Sequence, residues 1–94
     1  MVIRRTKKSN GEITFACTQR PDAKRVYLAG DFNGWDPAAR RMVRVKDGSF
    51  RAKMQLAPGE YEYKFVVDGE WIVDSEAPAQ RINAFGTANS VVSI

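Results

Sequence analysis

The chain has 94 residues, which is enough for one domain but leaves no room for a second hydrophobic core. It contains no histidine and a single cysteine, Cys17. These counts exclude His-dependent catalysis, zinc sites with histidine ligands, an intramolecular disulfide and a multi-cysteine metal cluster. We therefore expect a small binding or accessory domain that uses no metal or other cofactor, and not an enzyme.

The net charge of +4 arises largely near the N-terminus. The basic residues that precede the first patterned segment are Arg4, Arg5, Lys7 and Lys8. We predict a basic arm at residues 1–10 and a single domain at residues 11–94. A basic arm can attract nucleic acid or an anionic membrane, but a solvated tail is the simpler interpretation, and we expect neither partner. Because no signal-like or transmembrane-length apolar run occurs, we expect a cytoplasmic protein.

Apolar and polar residues alternate along most of the chain, which is typical of half-buried antiparallel strands. The predicted strands cover residues 12–18, 25–30, 42–45, 49–56, 60–67, 70–73 and 90–94. Turn-forming residues recur about every ten positions, as in small β-sandwiches. No segment has the pattern of a long helix, although residues 37–41 can form one helical turn. The predicted fold is all-β, with two sheets of three to four strands.

One hairpin can be predicted in detail. If Asp68 and Gly69 form a two-residue type I′ loop, Val66 lies opposite Trp71. Lys64 then becomes a diagonal neighbour of Trp71, on the face that points away from the core. Phe65 lies on the core face, opposite Ile72. An indole beside an ammonium group on an outer face indicates either a binding surface or a surface indole that covers neighbouring valines.

A second tryptophan, Trp35, lies in a segment rich in turn formers, residues 30–37. Phe32 is expected to fold inward. A loop tryptophan exposes a large apolar area, so Trp35 either plugs the open end of the sandwich or serves as a binding platform. Sequence spacing alone favours neither alternative.

A third segment precedes the last predicted strand. In an extended chain Phe85, Thr87 and Asn89 share one face, which would combine an aromatic ring, a hydroxyl and an amide. The alternative is a strand entry with Gly86 as a bulge. Together with two indoles and a lysine, these groups describe a sugar site, because a pyranose stacks its C–H face on an indole while its hydroxyls need donors and acceptors.

The chain resembles carbohydrate-binding module family 48, which includes the glycogen-binding domain of the AMP-activated protein kinase β subunit. The resemblance rests on KRVYLAGDFNGWDP at 24–37, PGEYEYKFVVDGEW at 58–71 and FGTAN at 85–89. It extends over about three quarters of the chain, from residue 24 to residue 94. It implies an immunoglobulin-like, early-set antiparallel β-sandwich of about seven strands that binds an α-1,4-glucan or maltooligosaccharide without catalysis.

The resemblance also implies roles for individual residues. In kinase-type members two tryptophans stack on glucose units, and their positions match Trp35 and Trp71. The lysine and asparagine that bond the sugar hydroxyls match Lys64 and Asn89, and a contributing threonine matches Thr87. Phe85 stands where the family has leucine, and it either adds a third stacking surface or blocks the kinase-type binding mode.

The sequence leaves other functions open. The main alternative is a protein-interaction or scaffold domain of a glycogen-metabolising enzyme or kinase complex, in which the exposed indoles pack on a catalytic domain or kinase subunit. Nucleic-acid binding is disfavoured because the basic residues do not interleave with the tryptophans. Enzymatic activity is the least favoured, since most carboxylates lie in turns where a capping role suffices.

Overall fold

Two antiparallel β-sheets form a sandwich in the computed structural model, which describes residues 2–3 and 12–94. The back sheet has the strand order β1-β2-β5-β4, and the front sheet has the order β3-β6-β9-β8, with β7 also paired to β6. Back-sheet strands are β1 (Val2–Ile3), β2 (Glu12–Cys17), β4 (Val43–Arg44) and β5 (Phe50–Gln55). Front-sheet strands are β3 (Val26–Gly30), β6 (Glu60–Val67), β7 (Glu70–Ile72), β8 (Ala79–Ile82) and β9 (Ala88–Ser93).

This architecture confirms the predicted all-β sandwich. The described residues form nine strands where about seven were predicted, because short edge strands are added at residues 2–3 and 79–82. Of the predicted basic arm at 1–10, the backbone at 2–3 pairs with β2. The basic residues of the arm, Arg4, Arg5, Lys7 and Lys8, lie outside the described residues.

The β6–β7 hairpin has the predicted register, with Val66 opposite Trp71 and Phe65 opposite Ile72. Its loop residues Asp68 and Gly69 both have positive φ angles, 48° and 88°, as a type I′ turn requires. The turn is also fixed from outside. The Asp68 carboxylate accepts hydrogen bonds from the backbone N–H groups of residues 24 and 25, and these bonds lower the pKa of Asp68.

The core lies between the sheets and is rich in aromatic rings. Phe15 of β2 meets Tyr63 of β6 edge to face, with ring centroids 4.9 Å apart. Phe32 turns inward as predicted, with its ring centroid 5.6 Å from that of Phe15. Cys17 is buried beside this cluster, and burial raises the pKa of its thiol.

A buried polar contact joins the core to the segment that follows β7. The Tyr63 hydroxyl donates a 2.7 Å hydrogen bond to the carboxylate of Asp74, and the Asp74 N–H donates to the Ser90 hydroxyl. Burial, followed by the hydrogen bond and charge of Asp74, raises the pKa of Tyr63. These bonds attach the segment after β7 to β6 and to β9. They also supply the hydrogen-bond partners that a buried carboxylate such as Asp74 needs.

Residues 37–40 form a turn and a bend and residue 41 makes an isolated bridge, so the predicted helical turn is wrong. Asp36 accepts a side-chain hydrogen bond from the N–H of Ala38, which favours a tight turn over a helix start. The backbone then extends beside β3, where Leu28 donates to the carbonyl of Arg40 and Tyr27 bridges to Arg41. A helix would withdraw these groups from the edge of the front sheet.

Candidate functional site

An open cleft of about 460 Å³ lies on the outer face of the front sheet. It brings together all the side chains predicted to form the site, together with three that sequence reasoning missed. The predicted lining residues are Trp35, Lys64, Trp71, Phe85, Thr87 and Asn89, and the missed ones are Asp31, Glu62 and Asn83.

Trp35 is positioned by the short 3₁₀ turn Asp31–Asn33 that follows β3. The Asn33 side chain fixes this turn, because its oxygen accepts from the Gly30 N–H and its amide donates to the Leu28 carbonyl. The Trp35 indole N–H then donates a 3.0 Å hydrogen bond to Asp31. Trp35 is half-buried and lies outside the hydrophobic core cluster, so it forms a wall of the cleft and does not plug the sandwich.

Backbone geometry marks Trp35 as unusual. Its φ angle is 60°, in the left-handed region that a bulky residue other than glycine rarely adopts. Such a conformation costs about 1 to 3 kcal/mol and persists only where surrounding contacts hold it. Here those contacts are the Trp35 N–H to the Gly30 carbonyl and the indole to Asp31. Residues held in this way are concentrated at functional sites.

Trp71 forms the second aromatic wall, from the short strand β7. Its side chain is 43% exposed, and its ring centroid lies 6.4 Å from that of Trp35. The two ring planes are inclined by 37°. The hairpin register and the 3₁₀ turn therefore produce a pair of angled indole faces on one surface.

The polar side of the cleft is organised by Asn83. Its side-chain oxygen accepts from the N–H groups of Phe85 and Thr87, which fixes the loop between β8 and β9. Its amide nitrogen donates to the Thr87 hydroxyl and to the side-chain oxygen of Asn89. The Lys64 ammonium reaches the same hydroxyl of Thr87, at 3.2 Å.

Of the two alternatives for residues 85–89, the extended row of Phe85, Thr87 and Asn89 is wrong, because the segment enters β9 through a turn. Residues 83–87 form a loop, closed by a hydrogen bond from the Asn83 N–H to the Thr87 carbonyl, and Gly86 within it has a φ of 82°. The three side chains still line one cleft, because the hydrogen bonds of Asn83 hold this loop beside Asn89. Phe85 is 90% exposed at the loop, whereas Asn89 is 7% exposed beneath it.

Within the residues that the structure describes, no group of three or more His, Cys, Asp or Glu residues is arranged to hold a metal ion. Nor does any helix in this part of the chain have the length and apolar character needed to cross a membrane.

The two-sheet fold with an aromatic cleft on one outer face defines a class of protein, the small β-sandwich binding modules. The family model described as the glycogen recognition site of AMP-activated protein kinase matches residues 13–94. The chain belongs to this family, which is a family of noncatalytic carbohydrate-binding modules.

Individual relatives agree with this assignment. The chain is 39% identical over 72 residues to Protein PTST homolog 2, chloroplastic, of Arabidopsis thaliana, a match that covers 77% of this chain and 13% of that protein. It is 37% identical over 71 residues to the AMP-activated protein kinase subunit β-1 of Sus scrofa, which covers 76% of this chain and 55% of the relative. The chain thus spans about half of the Sus scrofa relative and about an eighth of the Arabidopsis thaliana relative.

The fold also occurs in a solved structure. A maltogenic amylase from S. marinus superposes with a TM-score of 0.72 at 23% sequence identity, over 88% of this chain and 13% of the amylase chain. At this identity the likeness concerns the fold alone.

Proposed function

We propose that this chain is a noncatalytic module that binds α-1,4-glucans such as glycogen, starch or maltooligosaccharides. The observation that carries the proposal is the pair of indoles, Trp35 and Trp71, on one open cleft with a polar rim. Glucose presents apolar C–H faces that stack on indoles and hydroxyls that need partners, so this combination of surfaces suits it. The family description, a glycogen recognition site, supports the same ligand class.

The inclination of the indoles favours α-linked over β-linked chains. A β-1,4-glucan is a flat, extended ribbon whose successive sugar faces match coplanar aromatic platforms. An α-1,4-glucan curves, so consecutive glucose units present faces at an angle to each other. The 37° between the Trp35 and Trp71 ring planes suits the curved chain.

We assign the remaining side chains by their position in the cleft. The Lys64 ammonium donates hydrogen bonds to sugar hydroxyls. The Thr87 hydroxyl, which already accepts from Lys64 and Asn83, donates its own proton, and Asn89 supports both groups from beneath. Phe85, exposed at the rim, supplies a third apolar surface for a longer glucan. A stack contributes only about 1 kcal/mol beyond burial and the glucan must be ordered, so the dissociation constant is expected to be on the order of 0.1 mM.

The absence of catalysis is part of the proposal. A glycosidase needs one carboxyl group that donates a proton and a second that acts across the same bond. In this cleft, Asp31 accepts hydrogen bonds from the Trp35 indole and the Glu62 N–H, while Glu62 accepts from Asn89 and Arg81. Both carboxylates therefore serve as acceptors within the fold.

We further propose that the module works beside a catalytic domain or kinase subunit. The match to a kinase β subunit supports this arrangement, and such a module would bring its neighbour to a glucan surface. The division into a basic arm at 1–10 and a domain at 11–94 stays a prediction, as does the cytoplasmic location, since the Arabidopsis relative is chloroplastic by name.

The proposal is tested by titrating the protein with maltoheptaose and, as a matched control, with a β-1,4-linked cello-oligosaccharide. The two tryptophans provide a direct fluorescence signal. We expect saturable quenching with the α-linked sugar, at least tenfold weaker binding of the β-linked one, and no release of new reducing ends. A folded protein whose spectrum is unchanged at millimolar maltoheptaose would refute the proposal.

A further inference from the structure

Glu62 is a charged residue in the lining of the cleft that has no part in the stacking surface of the two indoles. It lies on β6, on the same face as Lys64 and two positions before it, and its side chain is 23% exposed. One carboxylate oxygen accepts a 2.9 Å hydrogen bond from the Asn89 amide nitrogen. The other accepts a 3.2 Å bond from the guanidinium of Arg81. The Glu62 side chain is thus held in one orientation at the wall of the cleft.

These two bonds leave acceptor capacity. A carboxylate offers about four lone-pair sites, so roughly two remain on Glu62 for a group in the cleft. Asn89 has less to offer, because its oxygen accepts from Asn83, its nitrogen donates to Glu62, and it is only 7% exposed. The exposed and charged acceptor at this wall is therefore Glu62 and not the amide beneath it.

Charge decides which sugars this acceptor favours. The cleft is lined by the carboxylates of Asp31 and Glu62 and by the ammonium of Lys64, a formal sum of −1. Arg81 lies outside the lining and is occupied by both Glu60, at 2.8 Å, and Glu62. A hydroxyl gains a charge-assisted hydrogen bond at such a wall, whereas an anionic substituent is repelled.

We infer that Glu62 is a specificity-determining residue, which accepts hydrogen bonds from glucose hydroxyls and makes the cleft select neutral glucans over glucans that carry anionic groups. The inference rests on the proposed function and adds to it a ligand class and a residue outside the predicted set. Arg81 and Asn89 act as positioning residues, because they hold the carboxylate through hydrogen bonds from two different strands.

The test compares maltoheptaose with the same oligosaccharide bearing one 6-phosphate, by calorimetry at about 0.1 M ionic strength, where the screening length is about 10 Å. Glu62→Gln removes the charge and keeps the shape. Loss of one charge-assisted hydrogen bond is expected to weaken maltoheptaose binding about tenfold. Wild type should bind the neutral sugar about fivefold more tightly, as repulsion between a phosphate and the net charge of −1 on the lining groups predicts. Glu62→Gln should reduce that difference in affinity.

The matched control is Glu60→Gln. Glu60 lies on the same strand and pairs with the same Arg81, yet it does not line the cleft. Its substitution should leave both affinities within about twofold of wild type, because Glu60 does not reach a ligand in the cleft and a solvent-exposed ion pair contributes little. Glu62→Asp adds a second variant that keeps the charge and withdraws the acceptor, so it should weaken maltoheptaose binding and preserve the discrimination against phosphate.

Thermal melts verify that each variant is folded. Unchanged maltoheptaose affinity in Glu62→Gln overturns the inference and leaves the proposed glucan binding intact. Equal losses in Glu60→Gln and Glu62→Gln also overturn it, because they assign the effect to general charge. If wild type binds the phosphorylated sugar more tightly than maltoheptaose, the positive charge of Lys64 outweighs the carboxylates, and the inference is overturned. A folded wild type that binds no maltoheptaose fails the proposed function itself.

Discussion

Trp71→Ala is the sharpest test of the aromatic platform. Trp35 is a poorer target, because its indole also holds Asp31, and its removal would disturb the backbone of β6 through the Asp31–Glu62 hydrogen bond. Trp71 makes its contribution from a short strand, and its indole carries no such bond to the cleft wall. The substitution therefore separates the loss of the stacking surface from a rearrangement of the site.

The expected loss of affinity follows from the exposed area. A tryptophan side chain presents roughly 150–250 Å², of which 43% is exposed at Trp71, so about 100 Å² is available to a ligand. A sugar stacked on one face would cover about half of that area and bury a similar area of its own, roughly 100 Å² in all. At about 25 cal/mol per Å² this burial contributes about 2.5 kcal/mol. The alanine side chain and the neighbouring Trp35 still bury part of the sugar. We therefore expect the binding free energy to weaken by about 2 kcal/mol, which is about thirtyfold in affinity.

The assay is a calorimetric titration with maltoheptaose, supported by the fluorescence of Trp35, which is then the sole remaining indole. Val43→Ala is the control, since Val43 is 65% exposed on the back sheet, away from the cleft. Its affinity should equal that of wild type. If a folded Trp71→Ala protein binds maltoheptaose within twofold of wild type, Trp71 is not a stacking surface and the reasoning fails.

Three further predictions concern the framework of the site. A Cβ at residue 30 would lie 2.6 Å from the Glu62 carbonyl oxygen, so Gly30→Ala should lower the free energy of unfolding by about 2 kcal/mol in urea denaturation. Tyr63→Phe removes the buried hydrogen bond to Asp74 and should cost about 1 to 3 kcal/mol in the same assay. The folded pKa of Asp68 lies below its ordinary 3.8. The stability that the Asp68 carboxylate contributes is therefore present above pH 3.8 and is lost as the pH falls through the folded pKa. Asp68→Asn should reduce this acid-dependent loss of stability in thermal melts.

Matched substitutions control these experiments. Tyr27→Phe deletes the hydroxyl of a residue that is only partly buried, so it should change stability little. Asp22→Asn removes an exposed carboxylate and should leave the loss of stability at acid pH unchanged. Equal losses in Tyr27→Phe and Tyr63→Phe would contradict the role of the buried bond. A Gly30→Ala protein as stable as wild type would show that β3 can move away from β6. An acid transition unchanged in Asp68→Asn would contradict the role of that turn.

Much of the fold could be predicted because its strands are half-buried. Alternation from Phe15 to Val67 marks the faces that meet the core, and one Asp-Gly turn is enough to fix the hairpin register that places Trp71. Strand β8 gave no such signal, since all of its residues are exposed. It pairs with β9 at the sheet edge, and that pairing depends on contacts between distant parts of the chain.

The residues of the site, too, could be predicted only in part. The residues recognised from the resemblance do meet in one cleft, but Asp31, Glu62 and Asn83 were missed. Glu62 could have been found, because it shares the face of Lys64 two positions away on a predicted strand. Asn83 could not, since its hydrogen bonds depend on the loop that follows β8. Hydrogen bonds between a side chain and the backbone of an irregular loop leave no periodic pattern in the sequence, so they cannot be predicted from it.

The buried thiol has a practical consequence for experiments on this domain. Cys17 is the single cysteine of the chain, it is 1% exposed, and burial raises its pKa, so it presents little thiolate to reagents at neutral pH. A cysteine introduced at the exposed Val43 would therefore react selectively in the otherwise native sequence. Attachment through that position would tether the back sheet to a solid support and leave the aromatic cleft turned toward the solution.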